Sequence, residues 1–270
     1  MSEELSIKMV DQPGTRRRIG NELRQLGVQK GMTLIVHSSL SSMGWVNGGP
    51  LAVIQALMDV VTEKGTLVMP AHSADLSDPA NWQNPPVPNA WHETIRSTMP
   101  LFDSRRTATR QMGRIAELFR TWPDVKRSAH PQLSFAAWGH DANFVTENHT
   151  LEYSLGEGSP LARVYDLDGS ILLIGVGYDR NTSLHLAEYR VPNPPLRRAG
   201  APWLEGQRRI WKEFDDVDID DEFFPAIGQA FEQTSTVKIG KLGAAECRFM
   251  RQRKAVDFAQ EWLSNQKKQK

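Results

Sequence analysis

His185 and Glu188 stand three residues apart in the segment Gly175-Val-Gly-Tyr-Asp-Arg-Asn-Thr-Ser-Leu-His-Leu-Ala-Glu-Tyr189. On a helix that spacing puts an imidazole and a carboxylate on one face. An imidazole can accept a proton near neutral pH, and a carboxylate beside it fixes the tautomer and stabilises the imidazolium that forms. The chemistry this pair suits is general base catalysis. A lone helical histidine is more often a packed core residue, but Asp179 and Thr182 also flank this one. Ile171-Leu-Leu-Ile174, just before the segment, reads as a buried strand that the glycines of Gly175-Val-Gly177 break. Asp179-Arg-Asn-Thr182 can then turn the chain and cap a helix starting near Ser183. The end of a buried strand is where open α/β sheets place their ligands.

His37-Ser-Ser-Leu-Ser-Ser-Met-Gly44 is a second candidate. A serine-rich turn between a strand and a helix exposes N–H groups and hydroxyls that can hold phosphates or a polar linker. A capped helix start with exposed serines is the plainer alternative. Arg105-Arg106, beside Thr107 and Thr109, could neutralise a phosphate, although such pairs usually face solvent.

Other chemistries lack their patterns. His92-Glu93 is followed by Thr-Ile-Arg and so fails the His-Glu-x-x-His zinc motif. His37, His72, His130, His140 and His149 are scattered without paired ligand spacing, so no metal is expected, although distant histidines could still converge in space. Gly158-Ser-Pro and Ser38-Ser39 lack the flanking glycines of a nucleophile elbow. There is no P-loop, and Gly175-x-Gly177 lacks the third glycine of a dinucleotide fingerprint. Cys247 has no histidine after it and is expected to pack.

The elements that must position these residues alternate. A helix is expected over Thr15–Leu26, a strand over Met32–Val36, a helix after Gly48-Gly-Pro50, and a strand over Thr66–Pro70. This strand–helix–strand unit requires a right-handed crossover and parallel neighbours. From Ala71 to Met99 prolines interrupt any regular element, and Trp82 and Trp91 suggest a packed wall. Further helices are expected over Gly113–Arg120, Asp141–Thr146 and Pro160–Tyr165, with strands over Pro131–Trp138 and Gly169–Ile174. Beyond Pro192, Trp203–Phe214 reads as an extended or hairpin segment. The acidic run Asp215–Glu222 reads as a solvated loop, or else a rim that attracts polyamines. Helices over Phe223–Phe231 and Ala255–Leu263 follow, then a polar Lys-rich tail expected to fray.

Composition narrows the partners. The chain has 270 residues, with 32 Lys+Arg balanced by 32 Asp+Glu, so it has no global basic field for nucleic acid or an anionic membrane. Its one cysteine fits a reducing cytoplasm. The start, Met-Ser-Glu-Glu-Leu, has no signal-peptide pattern, and no apolar run approaches bilayer length. A soluble cytoplasmic protein is expected.

The order of several segments resembles one family. They are His37-Ser-Ser-Leu-Ser-Ser-Met-Gly44, Gly65-Thr-Leu-Val-Met-Pro70, Asp78-Pro with Trp82 and Pro85-Pro-Val-Pro88, and Met112-Gly-Arg-Ile-Ala-Glu117. Arg127-Ser-Ala-His-Pro131, Ser134-Phe-Ala-Ala137, Gly156 with Ser159-Pro160, and Asn181-Thr-Ser-Leu-His-Leu-Ala-Glu188 complete the series. The chain looks like the aminoglycoside 3-N-acetyltransferases, the antibiotic N-acetyltransferase family, and especially its small Bacillus-type members. The resemblance spans roughly residues 30–190, and the tail beyond Pro192 matches loosely.

The resemblance implies one α/β domain over residues 1–270, with 193–270 a divergent part packed on it. The fold would be a three-layer α/β/α sandwich with a mixed, largely parallel sheet, distinct from the GNAT fold. It implies acetyl transfer from acetyl-CoA to an amine, most simply the 3-amino group of a 2-deoxystreptamine aminoglycoside, without a metal; the alternative is a CoA-binding homologue that acylates a different amine or has no antibiotic activity. His185 would be the base, Glu188 and Asp179 would orient the imidazole or the amine, and Thr182 would help stabilise the oxyanion. The CoA site would draw on Ser38, Ser39, Ser41, Met43 and Gly44, with Arg105, Ser134 and Ser159 as further contacts. Asp75, Asp78 and Glu93 in the proline-rich loop could serve a polycationic substrate. CoA and a small amine are the implied partners, neither nucleic acid nor membrane, with homodimerisation open.

Overall fold

The computed structural model describes residues 2–234 and 237–267. In chain order it runs α1 (Glu3–Lys8), α2 (Arg16–Leu26), β1 (Thr33–Ser38), α3 (Gly49–Val61), β2 (Thr66–Pro70), α4 (His92–Thr98) and α5 (Gly113–Phe119). Next come β3 (Lys126–Arg127), β4 (Phe135–Gly139), α6 (Ala142–Thr146), α7 (Pro160–Asp166), β5 (Ser170–Ile174) and α8 (His185–Arg190). A hairpin, β6 (Leu196–Glu205) and β7 (Arg208–Val217), is followed by α9 (Phe224–Thr234), β8 (Lys238–Leu242), β9 (Ala245–Arg251) and α10 (Gln252–Lys267). Residues 268–270 of the tail expected to fray lie outside the described residues.

Seven strands form one mixed sheet in the order β3-β4-β2-β1-β5-β9-β8. β1 pairs parallel with β2 and β5, while β4 and β9 add antiparallel strands outside them. Strand alternation makes the sandwich. Leu34 and Val36 of β1 and Leu172 and Ile174 of β5 face a core with Ile19 and Leu23 of α2 and Val53 and Leu57 of α3. Ile35, Ile171 and Leu173 face the opposite core, with Leu161 of α7, Leu186 of α8, Ile227 of α9 and Val256 of α10. Helix α2 shows the local logic. Thr15 accepts from the Arg18 N–H, Ile19, Leu23 and Leu26 line one buried face, and Gly27 ends the helix at φ 109°.

Crossover helices α3 and α7 therefore lie on opposite faces, on either side of β1. The sheet changes winding direction there, which opens a crevice beyond the carboxyl ends of β2, β1 and β5.

Three expectations need correction. The region 71–99 is not wholly irregular, because it holds helix α4 and several single turns, and Trp91 is 57 % exposed instead of walling a core. The acidic run is not a uniform solvated loop: Asp215, Asp216 and Val217 end β7, and Asp216 is fully buried. The hairpin β8–β9 was not expected, and it places two strands from beyond Pro192 in the main sheet. Buried Cys247 lies in β9.

A polar cluster between β4 and the β6–β7 hairpin carries a pH-dependent share of stability. His130 is 1 % exposed; its Nδ1 accepts from the N–H groups of Gln132 and Leu133, so its Nε2–H donates to the Leu151 carbonyl. Burial holds the ring down at about 3, and burial also holds His37, His72 and His149 near 3. These folded values lie below the ~6.5 of an unfolded histidine. Their contribution is complete above pH ~6.5 and is lost as pH falls from there toward 3. Each such group adds a slope of ~1.4 kcal/mol per pH unit in that window. Urea midpoints should therefore drop markedly from pH 7 to pH 5, and His130→Gln should flatten the slope by about one proton. Equal midpoints at the two pH values would refute this.

Candidate active site

A cleft of about 1390 Å³ lies at the carboxyl edge of β1, β2 and β5. His37 and Ser38 end β1 on its wall, His72 follows β2, and Gly175, Val176 and Gly177 follow β5. The chain leaves β5 through two single 3-10 turns, Tyr178–Arg180 and Thr182–Leu184, and enters α8 at His185. No side chain caps that helix, so the stepped turns do the work expected of a cap.

Within α8 the His185 and Glu188 side chains meet: Nδ1 lies 2.5 Å from Glu188 Oε2. Glu188 Oε1 accepts the backbone N–H of Asp220 at 2.8 Å. An ionised Glu188 is acceptor-only, so Nδ1 carries the proton and Nε2 keeps its lone pair. The His185 ring packs against Phe224 at 4.8 Å between centroids and borders the cleft with 15 % of its side chain exposed. The imidazole is held by a carboxylate on one side and reachable on the other.

The serine turn forms the facing wall. Ser38, Ser39, Ser41 and Gly44 line the cleft, whereas Met43 is buried beneath them. The turn is stitched by Ser42 Oγ donating to the Ser39 carbonyl and by Ser39 and Ser41 hydroxyls 3.1 Å apart. The β8–β9 turn supports it from below, with Ala244 N–H donating to the Met43 carbonyl and Gly243 N–H to Glu22. Arg114, at the start of α5, is exposed on the same wall and has no ion-pair partner among the described residues.

Other expected site residues are placed elsewhere. Asp179 lines the cleft but pairs with Arg180 at 3.1 Å, and Glu188 is the carboxylate hydrogen-bonded to the His185 ring. Thr182 lines the cleft, half-buried. Ser134 is buried off the wall, donating to the Ala71 carbonyl and accepting from Arg127. Ser159 is buried ahead of α7, and Arg105 sits in an exposed turn whose N–H groups bind Asp103. Asp75 pairs with Arg110, Asp78 with Arg96, and Glu93 is exposed on α4; none of the three borders the cleft. The acidic groups that do border it are Glu3, Asp179 and Asp221. Asp221 comes from the run read alternatively as a cation-attracting rim. Two of the three carboxylates expected to serve a polycationic substrate, Asp75 and Asp78, are neutralised by arginines.

Sequence reasoning missed His72, Arg114 and the wall contributed by α1, where Glu3 accepts from Trp45 Nε1–H at 3.1 Å. The signal for His72 was its place just past β2, whose parallel neighbour β1 ends in His37 and Ser38. Among the described residues no group of three or more His, Cys, Asp or Glu side chains is placed to hold a metal ion. No helix among them is long and apolar enough to cross a membrane.

The chain is similar to known proteins in sequence and in fold. The family model for aminoglycoside 3-N-acetyltransferase matches residues 35–264. The aminoglycoside N(3')-acetyltransferase-like protein YokD of Bacillus subtilis is 51 % identical over 94 % of this chain and 93 % of its own. Aminoglycoside N(3)-acetyltransferase III of Pseudomonas aeruginosa is 34 % identical over 94 % of each chain. The crystal structure of YokD superposes with a TM-score of 0.97 at 48 % identity, covering 99 % of both chains. The binary complex of AAC-IIIb with CoASH aligns at TM-score 0.83 and 29 % identity, over 94 % of this chain and 98 % of that one. AAC-VIa bound to sisomicin aligns at 0.84 and 30 %, over 94 % and 99 %. With this cleft, this fold and these relatives, the chain belongs to the aminoglycoside 3-N-acetyltransferase family of enzymes.

Proposed function

We propose that this enzyme transfers the acetyl group of acetyl-CoA to the 3-amino group of a 2-deoxystreptamine aminoglycoside in the cytoplasm, with His185 as general base. The observation that carries the reading is the His185–Glu188 pair on the wall of a cleft facing the serine turn. A cleft of about 1390 Å³ exceeds the ~300–1,000 Å³ of common small-molecule pockets and has room for two substrates. The residues fit CoA: the cleft-lining serines of the turn and an unpaired guanidinium, Arg114, suit a polar linker and phosphates. Acetyl-CoA supplies the acyl carbon and a thiolate leaving group.

The chain's part is positioning and proton transfer. Glu188, anchored by the Asp220 N–H, holds His185 with Nε2 toward the cleft. Nε2 accepts the amine proton as nitrogen bonds to the acyl carbon, and Glu188 stabilises the resulting imidazolium. Asp179 and Asp221 on the wall would meet ammonium groups of the acceptor. Incubating the enzyme with acetyl-CoA and an aminoglycoside panel should release free thiol and leave one added acetyl group at the 3-amine, located by NMR.

The modest carboxylate supply favours a second reading, acylation of a less cationic amine. Glu3 is engaged by Trp45 and Asp179 by Arg180, which leaves few free anions on the wall. Thiol release with simple amines but not with aminoglycosides would select it.

The serine turn gives a sharper check on CoA binding. Gly175 has φ 61°, and a Cβ there would lie 1.7 Å from Ser42 Oγ. Gly175→Ala adds left-handed strain of ~1–2 kcal/mol and pushes the turn outward. CoA affinity measured by calorimetry should weaken by at least ~10-fold, which is ~1.4 kcal/mol. Unchanged affinity would remove the turn from the CoA site.

A further inference from the structure

His37 is 6 % exposed, and its Nε2 is sealed from solvent with no hydrogen-bond partner among the described residues. The same holds for Nε2 of His72. Both rings border the cleft, at the carboxyl ends of the parallel neighbours β1 and β2. The other two histidines held near 3 contrast with them: His130 and His149 use both ring nitrogens in hydrogen bonds. Each sealed, unpaired Nε2 costs ~1–3 kcal/mol, whereas neither Nδ1 is among the sealed atoms, so on each ring that borders the cleft Nδ1 is the nitrogen open to a ligand group.

We propose that His37, with His72 beside it, donates a ring N–H to the carbonyl oxygen of the acyl group in transfer, stabilising the oxyanion that forms there. This rests on the acetyl-transfer reading. The amine lone pair forms the C–N bond, the C=O π pair moves onto oxygen, and His185 takes the proton from nitrogen. On collapse the pair returns, the C–S bond breaks, and that proton passes to the departing thiolate. His37 keeps its own proton throughout.

Donor character follows from the surroundings. Burial holds both imidazoles at about 3, so they are neutral at physiological pH. A neutral N–H puts no cation beside a cationic acceptor, yet strengthens as negative charge grows on oxygen in a water-poor site. Thr182, the other expected oxyanion donor, is only half-buried, so solvent competes for its hydroxyl.

Two measurements test this. In the wild-type enzyme with isotope-labelled histidines, a CoA ketone analogue that retains the carbonyl but replaces sulfur with carbon should shift the His37 ring N–H signal, whereas CoA alone should not. In kinetics, His37→Ala should lower kcat by ~10²–10³-fold with amine KM and CoA affinity within about threefold, and His37→Gln, which retains an N–H donor, should recover at least ~10-fold. An unresponsive His37 signal overturns the inference, as does a His37→Ala kcat within about threefold of wild type. If no amine releases thiol yet the signal answers only the ketone, the transfer reading fails and the carbonyl site stands. If His37→Ala does not fold, the wild-type spectrum decides.

Discussion

Replacing His185 with alanine is expected to lower kcat by ~10²–10⁴-fold, with KM for both substrates changed by no more than a few fold. The ring borders the cleft without building its wall alone, so binding should survive while proton removal is lost. Glu188→Gln tests the orienting role separately. A glutamine amide can donate to Nδ1, which would leave the proton on Nε2 and disable the base. That substitution should cost at least ~10²-fold in kcat despite its similar size. The double variant should be no worse than His185→Ala, because the two residues act as one unit. Additive losses, or near-normal turnover in His185→Ala, would end the assignment of this pair.

The second large effect concerns stability. Asp216 is fully buried and accepts from Ser154 N–H at 3.0 Å, Ser154 Oγ at 2.5 Å, Tyr189 OH at 2.6 Å and its neighbour Val217 N–H at 3.0 Å. Tyr189 belongs to α8, so this carboxylate ties the β6–β7 hairpin to the helix that carries His185 and Glu188. Burial, together with the Asp216 charge and its acceptance from the phenol, raises the Tyr189 pKa. Asp216→Ala would leave these donors buried and unpaired, and should destabilise the protein by ~3–5 kcal/mol in urea titrations. Tyr189→Phe removes one donor along with its hydroxyl and should cost only ~1 kcal/mol. An Asp216→Ala loss under ~1 kcal/mol would show that water or relaxation replaces the carboxylate.

Local signals were legible where the physics is local. The three-residue spacing of His185 and Glu188 sufficed to pair them, because a helix brings such positions together whatever surrounds it. The apolar runs of β1, β2 and β5 and the helix α2 could be read for the same reason. The β8–β9 hairpin escaped because its strands mix charged with apolar residues, as an edge strand and its neighbour do; its burial depends on β5. Asp216 was lost inside an acidic run, since charge density alone does not separate a solvated carboxylate from one that gathers buried donors.

The amino-acid order by itself determined the family, the parallel centre of the sheet and the imidazole–carboxylate pair, all of which rest on short-range periodicity and motif order. Only the tertiary structure decided which carboxylates face the cleft, which serines line it, and that Asp220 anchors Glu188 across 32 positions of chain. It also brought His37 and His72 together by laying β1 beside β2. Those outcomes depend on strand order and on which arginine neutralises which acid. Such facts arise from packing between distant segments and leave no periodic trace along the chain.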